Sequence, residues 1–178
     1  MEAAFADMQE KGQVVSALHP FKEGFYGRYG YVSTNSHFRL KVPTSTFHRY
    51  LPHWNEMDAD WRCQRLPAEE SKAELYPFMT EMARQHHGYV LYPPDLSDAA
   101  WRYFHENELV LLLYHKDELV SSLRYEFSGY MERGELKVDE MLWRNREARD
   151  LLFAFIASHE ENAAATWLRL PPDVNPFN

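Results

Sequence analysis

A net charge of −8, from 19 basic and 27 acidic residues in 178, argues against nucleic acid or an anionic membrane as a partner. It favours a cationic small molecule or a basic peptide. Hydrophobic residues at 45% and aromatics at 15% exclude global disorder and supply the core of one large domain or of one and a half small ones. A single cysteine, Cys63, excludes an intrachain disulfide and suits a reducing, cytoplasmic setting, and no apolar run of about 18 residues or basic–apolar start supports a membrane span or signal peptide.

In chain order, Met1, Ala4, Phe5 and Met8 fall at helical spacing ahead of Gly12, so residues 1–11 read as an amphipathic helix. Residues 14–18 read as a short buried strand that Pro20 closes. A short helix over 21–28 ends at Gly30, an extended segment covers 31–42, and Thr44 or Ser45 caps a helix over 46–51. Residues 52–66, with Pro52, Trp54 and Trp61, read as a connection with a strand at its end and mark a domain boundary. A helix over 68–85 carries Leu75, Phe78, Met79 and Met82 on one face, with a kink or fresh start at Pro77. Ser97 caps a helix bearing Ala100, Trp101 and Phe104. Strands over 108–115 and 118–127 are joined by a tight turn at Lys116-Asp117, and a third covers 135–143. A helix over 146–159 turns Leu151, Leu152, Phe155 and Ile156 inward, and a strand over 164–170 stops at Pro171-Pro172. The fold class is mixed α/β.

The densest signal is Leu18-His19-Pro20-Phe21-Lys22-Glu23-Gly24-Phe25-Tyr26-Gly27-Arg28-Tyr29-Gly30-Tyr31. Bulky rings threaded through glycines mark a backbone that passes close to something while one ring points into it. A phenol such as that of Tyr26 can donate a proton to a developing anion; the competing reading makes the rings a small core. The stretch resembles the end of the acetyl-CoA-binding domain of GNAT acetyltransferases, most closely the Eis (enhanced intracellular survival) type. That resemblance implies Tyr26 as the general acid that protonates the leaving thiolate of CoA, with His19, seven residues earlier, near the cofactor. It implies acetyl transfer from acetyl-CoA to a primary amine, either an aminoglycoside-like polyamine or a lysine.

The resemblance also implies an organisation. Residues 1–51 would be the C-terminal half of a catalytic GNAT domain and 52–66 a connection. Residues 67–172 would form a second, non-catalytic GNAT-like domain with a mostly antiparallel sheet flanked by helices, and 173–178 a tail. The family's phosphate-binding loop would lie before Met1 and its catalytic carboxylate in a third, sterol-carrier-like domain, so these residues alone are not expected to catalyse the reaction. Strand edges left open by a half-domain need a partner, which points to a homo-oligomer. The alternative is a non-enzymatic α/β scaffold or oligomerisation module.

Other candidates carry less. The junction Leu142-Trp143-Arg144-Asn145-Arg146-Glu147 sits where a GNAT cradles pyrophosphate, yet it has no glycine and places a glutamate against the anion. His86 and His87 are adjacent and point apart, and His37, His48 and His53 lack ligand spacing, so no metal is expected. Gly24, Gly27 and Gly30 do not make a dinucleotide fingerprint, and Cys63 reads as a bystander thiol. Asp139-Glu140 reads as the solvent side of a strand and Glu160-Glu161 as a solvated helix end.

Overall fold

The structure, a computed structural model, describes residues 1–18, 20–33, 38–85, 89, 91–93, 95–129 and 134–170. Packing divides the chain into two compact units, residues 1–36 and 37–178.

The first unit begins with α1, Glu2–Glu10, where Met1, Phe5 and Met8 form a half-buried stripe. Gly12, at φ +66°, ends it as its spacing predicts, because that conformation is costly for any residue with a Cβ. Residues 14–18 are not the expected buried strand: Val14 is 94% and Val15 79% exposed. The reason is the missing ladder, since no strand lies among the described residues of this unit to take their backbone groups. A short helix, α2, Glu23–Gly27, follows and closes at Gly30, φ +86°. No described residue of the unit is fully buried.

The second unit is a sheet of six strands in the order β1-β6-β5-β4-β3-β2. The strands are β1 Phe38–Pro43, β2 Trp61–Pro67, β3 Leu109–His115, β4 Glu118–Ser128, β5 Glu135–Trp143 and β6 Ala165–Leu170. All neighbours are antiparallel except β5 and β6. Side chains alternate between two cores, as strand geometry requires. Leu111 and Leu113 of β3 pack on the α6 side (α6, Arg146–Ala157), while Val110, Leu112 and Tyr114 face α4, Lys72–Ala83, and α5, Asp98–Phe104.

The local signals for these elements act as expected at several points. Ser97 Oγ accepts from Ala100 N at 3.1 Å, capping α5. Lys116 and Asp117 both take positive φ, 51° and 63°, the geometry of a two-residue turn whose twist matches its flanking strands. Leu75, Phe78, Met79 and Met82 are the buried face of α4, and Pro77 lies inside that helix.

The second unit also takes in residues expected upstream of the boundary. β1 pairs with β6 from Phe38↔Leu170 to Pro43↔Ala165. A 3-10 helix, Thr44–Tyr50, and α3, Leu51–Asn55, cover α6: Phe47 stacks on Phe153 at 5.1 Å, Tyr50 lies 4.9 Å from Phe153, and Trp54 6.0 Å from Phe155. The compact division therefore falls at residue 36, ahead of the 52–66 connection the sequence suggests. Neither Thr44 nor Ser45 caps a helix; the Thr44 hydroxyl instead pairs with Thr166 at 3.0 Å, fixing the end of β1 to β6.

Candidate functional site

Tyr26 lies on α2, where glycines on either side leave room for rings to close around it. Phe21, Phe25 and Tyr31 meet its ring edge-on at 5.3, 5.1 and 5.8 Å, so three contacts hold one half-buried phenol. Tyr31 in turn shares a hydrogen bond with Ser16 Oγ at 2.6 Å and stacks on Phe5 at 6.1 Å. Arg28 lies 4.6 Å over Phe25 and donates to its carbonyl at 3.1 Å, placing one cation at the rim. His19 lies outside the described residues.

In the second unit the feature of interest is the opening between the two parallel strands. β5 and β6 pair only from Glu135↔Ala165 to Val138↔Leu168, yet β5 runs on to Trp143. At the same point the β4–β5 register jumps: Arg124 faces Glu140 while Tyr125 faces Val138. Asp139 is thus a bulge residue. A bulge reverses the alternation that follows it, so Glu140 leaves the α6-side face of Leu136 and Val138 and joins Arg124 on the opposite face, where it is largely covered rather than solvated.

The inward Glu140 joins a buried polar network that sequence reading missed. Arg124 Nη1 donates to both oxygens of Glu108, at 2.9 and 2.8 Å, and its Nε lies 4.0 Å from Glu140 Oε2. Glu108 Oε2 meets Nδ1 of the fully buried His105 at 2.9 Å, and Tyr89 donates to Glu140 at 2.5 Å. Burial alone would raise the Glu108 carboxyl, but hydrogen bonds from His105 and Arg124 and the arginine charge outweigh it and hold it low. Burial likewise works against the charge on Arg124, and the two glutamates overcome it, raising its pKa. Burial and then the Glu140 charge push the Tyr89 phenol up. His105 Nε2, Arg124 Nε and Glu140 Oε2 are buried without a hydrogen-bond partner among the described residues. The visible clue was Arg124 itself, a charge between Leu123 and Tyr125 in the middle of a strand.

The β5–α6 junction is committed to its own structure. Asn145 Oδ1 accepts from Ala148 N at 2.9 Å, capping α6, and Glu147 meets the positive end of that helix. Arg144 pairs with Glu81 at 2.7 Å and Glu118 at 2.8 Å, while its N–H bonds Val120 O at 2.9 Å. Arg146 lies 3.8 Å from Asp150. The junction is a poor fit for the pyrophosphate of a CoA: the cap occupies one helix N–H, Glu147 sets a negative charge at the helix start, and Arg144 is already matched by two glutamates. Among the described residues no cluster of metal-ligating side chains occurs, and no helix is long and apolar enough to cross a membrane.

Helices on both faces of a mostly antiparallel sheet, with one parallel pair parting beside a helix, define a GNAT-like fold. One GNAT acetyltransferase domain model matches residues 1–33 and a second matches residues 93–176. The structure is similar to a GCN5-related N-acetyltransferase from Anabaena variabilis (TM-score 0.76, 15% identity, 99% of this chain and 44% of that one). It is similar to a probable N-acyltransferase from Enterococcus faecalis (0.75, 18%, 94% and 41%). It is also similar to Eis1 from Mycobacterium abscessus (0.67, 19%, 98% and 44%). Comparison with curated proteins gives no match. The chain spans less than half the length of these three solved proteins.

Proposed function

We propose that this chain is an interior part of an Eis-type GNAT N-acetyltransferase, with residues 1–36 supplying the end of a catalytic domain and residues 37–178 a second, non-catalytic GNAT-like domain. One observation carries the reading. The first unit matches a GNAT domain and holds a half-buried tyrosine among rings, yet none of its described residues is fully buried. So small a unit without a core needs further sequence to complete it.

In the intact protein acetyl-CoA would supply the acetyl group and a primary amine would accept it. Tyr26 would give the proton on its Oη to the departing sulfur. The phosphate cradle and the base would come from outside these residues, since the β5–α6 junction does not fit the first. His19 would lie beside the cofactor. The acidic balance suits a polycationic acceptor by long-range attraction. The protein would act in the cytoplasm as a homo-oligomer.

A second reading, an α/β scaffold without enzymatic activity, is favoured by that same committed junction. Release of free CoA thiol by the full-length gene product, given acetyl-CoA and a polyamine, an aminoglycoside or a lysine peptide, tests the two. Acceptor-dependent thiol release is expected. No release with any amine, together with no acetyl-CoA binding, would favour the scaffold.

A further inference from the structure

One face of the sheet around β1, β6 and β5 carries charge that does not balance. Leu168 and Leu170 of β6 and Leu40 and Val42 of β1 pack in the α6 core, so alternation turns Trp167, Arg169, Arg39 and Lys41 to the opposite face. There the register sets Lys41 across from Trp167 and Arg39 directly across from Arg169. The neighbouring lysines are matched: Lys41 pairs with Glu135 at 2.5 Å and Lys137 with Glu126 at 2.8 Å. Arg39 and Arg169 are both exposed, and no described carboxylate lies within 4.0 Å of either.

Like charges directly opposite on an antiparallel pair are destabilising. In a chain with eight more acidic than basic residues, two arginines directly across the ladder on one face, without a described acid paired to either, run against the overall composition. On the far side of Arg169 from β1, strand pairing with β5 ends at Val138↔Leu168, so no further rung of the β5–β6 ladder stands beside it.

We infer that Arg39 and Arg169 together form a binding site for a phosphoryl oxyanion. Two planar forks present more donors and more positive charge than one carboxylate can use. A phosphoryl group, with about −1.5 to −2 charge and three acceptor oxygens, matches both. The site lies on the sheet face opposite α6 and does not depend on the transfer reaction proposed above. Free phosphate and an esterified phosphate share this chemistry.

Isothermal titration of the 178-residue chain with inorganic phosphate, methyl phosphate and acetate, at one fixed low ionic strength, tests the site. Phosphate should bind at least about tenfold more tightly than acetate, and Arg39→Gln or Arg169→Gln should weaken it by about tenfold or more. Lys116→Gln, an exposed cation elsewhere, should leave it unchanged. Methyl phosphate binding as tightly as phosphate would assign the site to an esterified group, and weaker binding to the free ion. In phosphate-free buffer Arg169→Gln should melt no lower than the parent, because it removes a repulsion. Equal phosphate binding by parent and both variants would overturn the proposal, as would acetate binding as tightly as phosphate.

Discussion

Replacing Arg124 with methionine should destabilise the second unit by about 3–5 kcal/mol, the cost typical of breaking a buried ion pair by removing one partner. Methionine keeps much of the arginine's length and apolar stem, so the loss would come from Glu108 and Glu140 left largely covered without the cation they share. Two consequences separate this from a simple packing defect. The first is partial recovery: Glu108→Gln and Glu140→Gln added to Arg124→Met remove the orphaned charges and should restore stability. The second is pH. Glu108 is held below its ordinary value of 4.5, so its ionisation contributes stability above that pH and the contribution is lost as pH falls through the lower folded value. Without Arg124 that acid-side loss should flatten. Urea melts of the parent, Arg124→Met, the Glu108→Gln/Glu140→Gln double variant and the triple variant between about pH 3 and 7 check both. A fully additive triple variant, together with an unchanged pH slope in Arg124→Met, would mean the network is not coupled through Arg124.

Replacing Tyr26 with phenylalanine in the full-length protein should lower kcat by about 10²- to 10⁴-fold, the range contributed by a positioned proton donor. KM for the amine should stay nearly constant, because donation to a leaving group is an interaction made only in the transition state. The substitution is a clean one. Phe21, Phe25 and Tyr31 touch the Tyr26 ring, and Phe keeps that ring while deleting only the hydroxyl. Steady-state thiol release measures it. Turnover equal to that of the unchanged protein would remove Tyr26 from the role of acid.

The parts of the fold that short-range chemistry decides were legible in the sequence. The cap at Ser97, the turn at Lys116-Asp117 and the buried face Leu75–Phe78–Met79–Met82 each depend on residues a few positions apart. What escaped depends on distant partners. Val14 and Val15 have strand propensity but no strand beside them among the described residues of their unit. Burial on nearly every side of α6 comes from the 3-10 helix and α3, about a hundred residues earlier, which cover the face its amphipathic pattern leaves outward. The place of Glu140 was not legible for a subtler reason. Strict alternation from Leu136 and Val138 would place it with them, and only the extra residue Asp139 turns it toward Arg124. Of the candidate site, the ring-and-glycine stretch around Tyr26 was visible as a pattern, whereas the buried network was not.

The proposal that residues 1–178 are part of a longer enzyme is tested most directly by isothermal titration of acetyl-CoA into these residues alone and into the longer protein the proposal requires. Binding by the full-length protein and none by the shorter chain is the predicted result, because the β5–α6 junction keeps its cap and its cations for itself. Equal affinity in the two proteins would contradict it, placing the cofactor site within these residues.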